Sequence, residues 1–364
     1  MLTLEITISD VVLFIGREKL QMTVRVPENN KKPGVCYAVT DDGLELPVID
    51  ITHPAFATEL DEAGLAGVVD RSLRVLEAAK KMTPEIVSAL AEKSILVRGT
   101  VRCSGGIMSG LTTYLYRLGP QNLGDGYACD IDRQAADGLM AWSFRFRTRD
   151  VARAVAGALA DALGARDGRA IHIIDIAGGP SAASLNALIL LRKENPRQVE
   201  GRHLRIHVLD IDTEGPSFGT RALAALQADG GPLAGLPASL DHVRYDWADP
   251  GVLRRTIAGL DDGCVAAACS EGGLFDYASD EQIVANLEAL RECTPENFVV
   301  VAAVAHDEHT LPADLVPFVK VQGRPAVRFQ GLDALRKLAE SAGWGIERVL
   351  DSALLHQVAT LRKV

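Results

Sequence analysis

The sequence predicts an α/β fold: a doubly wound, mostly parallel sheet that ends in an antiparallel hairpin, preceded by a β-rich and helical N-terminal extension. Three observations carry this expectation. From Arg169 onward, short apolar strand candidates at 171–176, 204–209, 242–245, 264–269 and 297–304 alternate with helical patterns. The run Ile171–Ile176 passes through Ala177-Gly178-Gly179-Pro180 into a helix-like segment from Ser181 to Leu191, the strand–turn–helix order of a ligand-binding crossover. Finally, Gly345–Leu350 and Leu355–Lys363 are joined by too few residues for a crossover, so they must pair antiparallel.

Residues 1–56 read as a small antiparallel β subdomain. Leu2, Leu4, Ile6 and Ile8 alternate with polar residues, Val11–Ile15 and Leu20–Val26 follow, and Asn29–Pro33 reads as a turn. Asp41-Asp42-Gly43 is a hairpin signal between Val35–Thr40 and Leu44–Ile51. Residues 57–149 form a helical region. Ala63–Met82 carries apolar residues at helical spacing, and Thr83-Pro84-Glu85 marks a new helix with proline at its first position. Cys103–Tyr127, rich in Gly, Ser and Tyr, suits a lid or pocket wall better than a plain core helix. The third unit, 150–364, opens with an Ala-rich helix over Asp150–Leu163 and closes with an amphipathic helix, Leu332–Ala342, stopped by Gly343.

Composition narrows the function classes. The chain has 364 residues, 48% hydrophobic and 24% charged, the profile of a globular protein with room for a large core. A net charge of −10 repels nucleic acid and anionic membranes, so neither is expected as a partner. No apolar run approaches the ~18 residues of a bilayer span, and no signal peptide is visible; a cytoplasmic protein is expected. The six cysteines (36, 103, 129, 264, 269 and 293) include no C-x-x-C and no His/Cys cluster at zinc spacing, so they read as reduced thiols and no metal is expected.

The chemistry concentrates at the strand ends, where open α/β sheets bind ligands. After the first strand, glycines let backbone approach a ligand, and Asp175 repels a pyrophosphate while suiting an ammonium group. Neither G-x-G-x-x-G nor G-x-x-x-x-G-K-[ST] occurs at this turn, which favours a cationic, phosphate-free cofactor over a dinucleotide. Asp210-Ile211-Asp212 follows the second strand, Tyr245-Asp246-Trp247 the third, and Ser270-Glu271-Gly272-Gly273 the fourth. A carboxylate in the second position can accept two vicinal hydroxyls at once.

The segment Asp175-Ile176-Ala177-Gly178-Gly179-Pro180-Ser181 resembles the first motif of class I S-adenosylmethionine-dependent methyltransferases, and the resemblance extends over about residues 150–364. It implies a Rossmann-like methyltransferase sheet with a reversed final strand, and S-adenosylmethionine as cofactor. It places Asp175, Ala177, Gly178 and Gly179 at the methionine part, Asp210 at the ribose with Ile211 beside it and Asp212 in reserve, and Asp246 with Trp247 at the adenine, Trp247 being equally suited to the core. Ser270 and Glu271 fall near the sulfonium.

The implied activity is methylation of a small molecule in bacterial biosynthetic metabolism, with the N-terminal half forming the acceptor pocket. Candidate catalytic residues are Tyr114 and Tyr277, which can contact acceptor or sulfonium, and His306, which can act as base with Asp307 orienting it. Tyr116, Tyr127, Phe275 and His53 are further candidates. Two alternatives stay open: attack by the cofactor's own amino group to give azetidine-2-carboxylate and methylthioadenosine, and a non-catalytic binding protein on the same fold. Pairing of the N-terminal strands across a two-fold axis would give a homodimer.

Overall fold

The computed structural model describes residues 24–103, 107–163, 170–319, 327–351 and 354–364. Its centre is a seven-stranded sheet of spatial order β5 (Ala238–Arg244), β4 (Leu204–Asp210), β3 (Ile171–Ile176), β6 (Val265–Glu271), β7 (Val299–Ala305), β9 (His356–Lys363) and β8 (Trp344–Asp351). The first five run parallel, β9 is antiparallel to β7, and β8 is antiparallel to β9.

The central strands are mostly apolar because helices cover both faces. All six residues of β3 and all seven of β7 are buried. Alternation along β3 sends Ile171 and Ile173 into one core with Val155, Leu159, Leu188 and Phe218. It sends Ile174 and Ile176 into the other with Leu287, Leu335 and Trp344. Strand order reverses between β3 and β6, and this switch point sets where a ligand crevice opens.

Three boundaries differ from the sequence expectation. Strand β5 begins at Ala238, earlier than 242, because an edge strand with exposed Asp241 and His242 carries no apolar run to betray it. Strand β6 extends to Glu271, which puts Ser270 and Glu271 in the strand end itself. The helix expected over 150–163 starts at Leu139 and runs unbroken through Asp150 to Leu163. Its first half hid in the sequence because arginines interrupt the apolar period. In the structure Arg145, Arg147 and Arg149 lie over the rings of Trp142, Phe144 and Phe146.

In the N-terminal region β1 (Tyr37–Val39) and β2 (Glu45–Pro47) form the hairpin expected around Asp41-Asp42-Gly43, with Gly43 at φ 90°. Leu2–Ile8, Val11–Ile15 and most of Leu20–Val26 lie outside the described residues. Two buried side chains, Asn186 on the helix Ala182–Glu194 and Tyr114 on the helix Gly110–Arg117, hold the segment that leaves the hairpin. Asn186 donates to the Ile49 carbonyl (3.0 Å) and accepts from the Ile51 amide (2.8 Å). Tyr114 donates from its hydroxyl to the Pro47 carbonyl (3.0 Å) and accepts from the Ile49 amide (2.9 Å). No helix among the described residues is long and apolar enough to cross a membrane, and these residues hold no disulfide and no metal-ligand cluster.

Two buried polar residues interrupt the apolar run of β3, Asp175 at its end and His172 near its start. His172 is fully buried, with Nδ1 2.9 Å from His207 Nε2 and Nε2 3.0 Å from Asp261 Oδ2. Burial, first among the causes, lowers both histidine pKa values, and for His207 the neighbouring His172 lowers it further. The unfolded chain therefore binds protons that the folded one refuses. The stability this pair contributes is complete above about pH 6.5 and is lost as the pH falls below it. The urea midpoint should drop between pH 7.5 and 5.5, and His207→Gln should shrink that drop. Superimposable pH profiles for the two proteins would rule the pair out as its source.

Candidate functional site

A cavity of about 1090 Å³ opens at the switch point, over the carboxyl ends of β3, β4, β5 and β6. Its volume is at the top of the ~300–1,000 Å³ range of small-molecule sites, enough for two ligands side by side. The floor is Ala177, Gly178 and Gly179; one wall carries Asp210, Ile211, Asp212, Asp246 and Trp247; the other carries Arg117, Phe144, Arg147, Glu271, Tyr277 and His356.

The glycine turn is held in a costly shape. Ala177 and Ser181 both sit at φ 55°, in the left-handed region that non-glycine residues avoid. The glycines answer to the chain itself. A Cβ on Gly178 would come within 2.4 Å of the Asp175 carboxyl carbon, and one on Gly179 within 2.9 Å of Gly110 Cα. Gly110 begins the helix Gly110–Arg117, so the lid expected from 103–127 docks its helix N-terminus directly on the turn.

Asp210 is tied to this turn. Its Oδ2 accepts from the Gly179 amide (2.8 Å) and its Oδ1 from the Asp212 amide (2.8 Å). Each carboxylate oxygen can accept twice, so both keep capacity for a further donor, and Asp210 lines the cavity. Burial, the largest cause, raises the Asp210 pKa, and the two backbone donors offset part of the rise. Asp246 accepts from the Ala248 amide through Oδ1 (2.9 Å), and Trp247 and half-exposed Ile211 flank it with apolar surface.

The opposite wall is a buried ionic cluster. Glu271 Oε1 accepts from Arg117 Nη2 at 2.9 Å, Thr148 Oγ1 at 2.8 Å and, more weakly, Arg147 Nε at 3.4 Å. Arg147 Nη1 donates to His356 Nε2 at 2.9 Å and lies 3.6 Å from Asp276 Oδ2. His356 must leave Nε2 unprotonated to accept, and Nδ1 faces Ser143 Oγ at 2.6 Å. Burial first, then the Arg147 charge, hold this histidine's pKa well below the usual range. Gly272, at φ +74°, leaves the space that Arg147 fills: a Cβ there would come within 2.3 Å of Nη1.

The candidates from sequence divide into two groups. Ala177, Gly178, Gly179, Asp210, Ile211, Asp212, Asp246, Trp247, Glu271 and Tyr277 all line the cavity. The others face the protein. The Asp175 carboxylate lies behind the turn and accepts from Ser184 Oγ (2.7 Å); burial pushes its pKa up to about 6. Ser270 accepts from the Leu274 amide, and Phe275 is core. The Tyr114 hydroxyl is used up on Pro47 and Ile49, and its ring packs edge-on to Phe218 with centroids 4.9 Å apart. His306 Nδ1 faces Thr310 Oγ1 (3.2 Å), and Asp307 caps the same loop through the His309 and Thr310 amides. His53 caps a short 3-10 helix, accepting from the Ala55 amide, and Tyr127 lies in a separate groove. Tyr116 Oη lies 3.0 Å from Thr100 Oγ1.

Sequence reasoning missed Arg117, Arg147, Phe144, Asp276 and His356. The one available signal was the Phe144–Arg149 segment, where aromatic residues and arginines alternate in a way no solvent-facing helix needs.

Tyr114→Phe tests the structural assignment. It removes both hydroxyl bonds and leaves the Ile49 amide without an acceptor, so stability should fall by about 1–3 kcal/mol. Cofactor affinity, measured by calorimetry, should change less than twofold; a large loss of affinity with unchanged stability would return Tyr114 to the site.

Five parallel strands with a reversed strand inserted beside the last of them complete the arrangement expected above. This is the sheet arrangement that the resemblance to class I methyltransferases implied. No protein-family model and no curated protein sequence matches the chain. Solved structures do. TnmH is 19% identical over 62% of this chain and 59% of its own, with a TM-score of 0.36. The O-methyltransferase NcsB1 from neocarzinostatin biosynthesis, solved with S-adenosyl-L-homocysteine and 1,4-dihydroxy-2-naphthoic acid, is 15% identical over 53% and 49%, with a TM-score of 0.35. Magnesium protoporphyrin IX methyltransferase from Synechocystis PCC 6803 is 14% identical over 70% and 94%, with a TM-score of 0.42. The chain thus spans 59% and 49% of the length of the first two.

Proposed function

We propose that this protein is an S-adenosylmethionine-dependent methyltransferase acting on a small molecule in biosynthetic metabolism. One observation carries the reading: Gly178-Gly179 and the acids at three successive strand ends, Asp210, Asp246 and Glu271, line a single cavity. The donor set fits the cofactor. Asp210 offers two oxygens to a ribose diol, Asp246 an acceptor for an exocyclic amine beside the Trp247 ring, and the wall's carboxylates suit a ligand bearing sulfonium and ammonium charges.

The cofactor supplies an activated methyl group when bound. The chain's part is to hold, align and dry the reactants. The helix Gly110–Arg117, docked on the turn at Gly179, covers the cavity with Thr112, Thr113 and Leu115, and Phe144, Met140 and Phe329 add apolar wall. In this reading an acceptor takes the Arg117–Glu271 side of the cavity.

The test is mass spectrometry of the protein with S-adenosylmethionine, without and then with candidate acceptors. Methyl transfer predicts bound, intact cofactor alone and S-adenosylhomocysteine only with an acceptor. Methylthioadenosine formed without acceptor would move the reaction to ring closure within the cofactor. Absence of binding would leave a scaffold role.

A further inference from the structure

One wall of the cavity is acidic, and the other carries two arginines gathered around Glu271. Asp210, Asp212 and Asp246 face Arg117 and Arg147 across the floor, and the arginine side is the buried one. Arg117 is 7% exposed and Arg147 5%. Within hydrogen-bond reach, their only carboxylate partner among the described residues is Glu271, at 2.9 and 3.4 Å. Asp276 stands at 3.6 Å from Arg147, beyond a hydrogen bond, with its other oxygen accepting the Ala305 amide at 2.9 Å. Burial, partly offset by the Arg147 charge, pushes the Asp276 carboxyl up to about 7. His356, the remaining partner of Arg147, is held neutral. Arg117 Nε is buried with no acceptor. Two guanidiniums thus share one hydrogen-bonded carboxylate on the wall of a cavity, with Asp175 and Asp276 acting on them only at longer range, and a buried N–H left without an acceptor is costly unless a ligand supplies one.

We infer that Arg117 and Arg147 form a subsite for a carboxylate group of a bound ligand, with the unpartnered Nε of Arg117 as its open donor. The inference rests on the transferase reading and extends it to the class of ligand. A guanidinium fork suits the planar, bidentate carboxylate. A carboxylate brings one negative charge beside Glu271, whereas a phosphate dianion would bring two into the same buried wall. The carboxylate can belong to an acceptor, or to the amino-acid end of the cofactor itself.

Calorimetry on the full chain separates these sources. S-adenosylmethionine and its decarboxylated analogue are titrated into wild type, Arg117→Met and Arg117→Lys; benzoate and benzyl alcohol are titrated into the protein loaded with S-adenosylhomocysteine. If the cofactor's carboxylate fills the subsite, wild type prefers the carboxylated form by about 10- to 100-fold, and Arg117→Met abolishes the preference. If an acceptor's carboxylate fills it, the two cofactor forms bind alike, while benzoate binds, benzyl alcohol does not, and Arg117→Met weakens benzoate at least about tenfold. Arg117→Lys, which keeps the charge and loses the fork, should fall between and covers the case in which the methionine variant does not fold. The melting temperature of ligand-free Arg117→Met should hold or rise, since a buried donor without an acceptor is removed. Cofactor binding with no carboxylate preference in either arm overturns the subsite. Failure of S-adenosylmethionine to bind removes the transferase reading instead, and benzoate on the ligand-free protein then decides the subsite alone.

Discussion

Replacing Glu271 with alanine should lower the stability of the folded chain by about 3–5 kcal/mol, the largest effect expected of any single polar residue here. Glu271 is 9% exposed and holds Arg117, Arg147 and Thr148 on one oxygen. Its removal leaves two guanidiniums side by side in a poorly solvated wall, with Asp276 too far to take over. The urea midpoint reads the loss. The double variant Glu271→Ala/Arg117→Met should recover part of it, because the surplus charge goes with its partner. A Glu271→Ala protein as stable as wild type would mean that water reaches these charges, and the buried cluster would then explain neither stability nor ligand choice.

Asp210→Ala should weaken S-adenosylmethionine binding about 10- to 100-fold, corresponding to one or two charge-assisted hydrogen bonds. The change also deprives the Gly179 and Asp212 amides of their acceptor, so part of the loss would come through the turn. Asp210→Asn separates the contributions: its amide oxygen can keep one backbone bond while the charge is gone, and it should bind with intermediate affinity. Circular dichroism checks that both variants fold. Affinity within twofold of wild type for Asp210→Ala would remove this residue from the cofactor site and sink the assignment of the wall it anchors.

Why these residues were legible and others were not follows from distance along the chain. Asp210, Asp246 and Glu271 each sit at or just past a strand end, a position that local periodicity reveals and that the topology turns into a cavity wall. The glycine turn was equally visible, though its reason was not. The crowding that demands glycine comes from Asp175 and from Gly110, the latter far away in sequence. Tyr114 and His306 show the opposite case. Composition marks a hydroxyl or an imidazole as capable of chemistry, but only packing shows whether it faces a ligand or a neighbour. Tyr114 faces the backbone of Pro47 and Ile49, and His306 a loop threonine.

The arginine cluster was out of reach of any local reading. Arg147 and Thr148 meet Glu271 across 124 and 123 residues. The phenylalanine–arginine alternation in front of Asp150 looked like the end of a region rather than the middle of the helix Leu139–Leu163.

By itself, then, the sequence determined the strand and helix alternation, the closing antiparallel hairpin and the acids at the strand ends, because these depend on periods of two and 3.6 and on turn chemistry within a few residues. The tertiary structure alone decided which polar side chains face the cavity and which face the core. It also decided where two buried arginines share one glutamate, because such charges are tolerated only where distant elements converge to pair them.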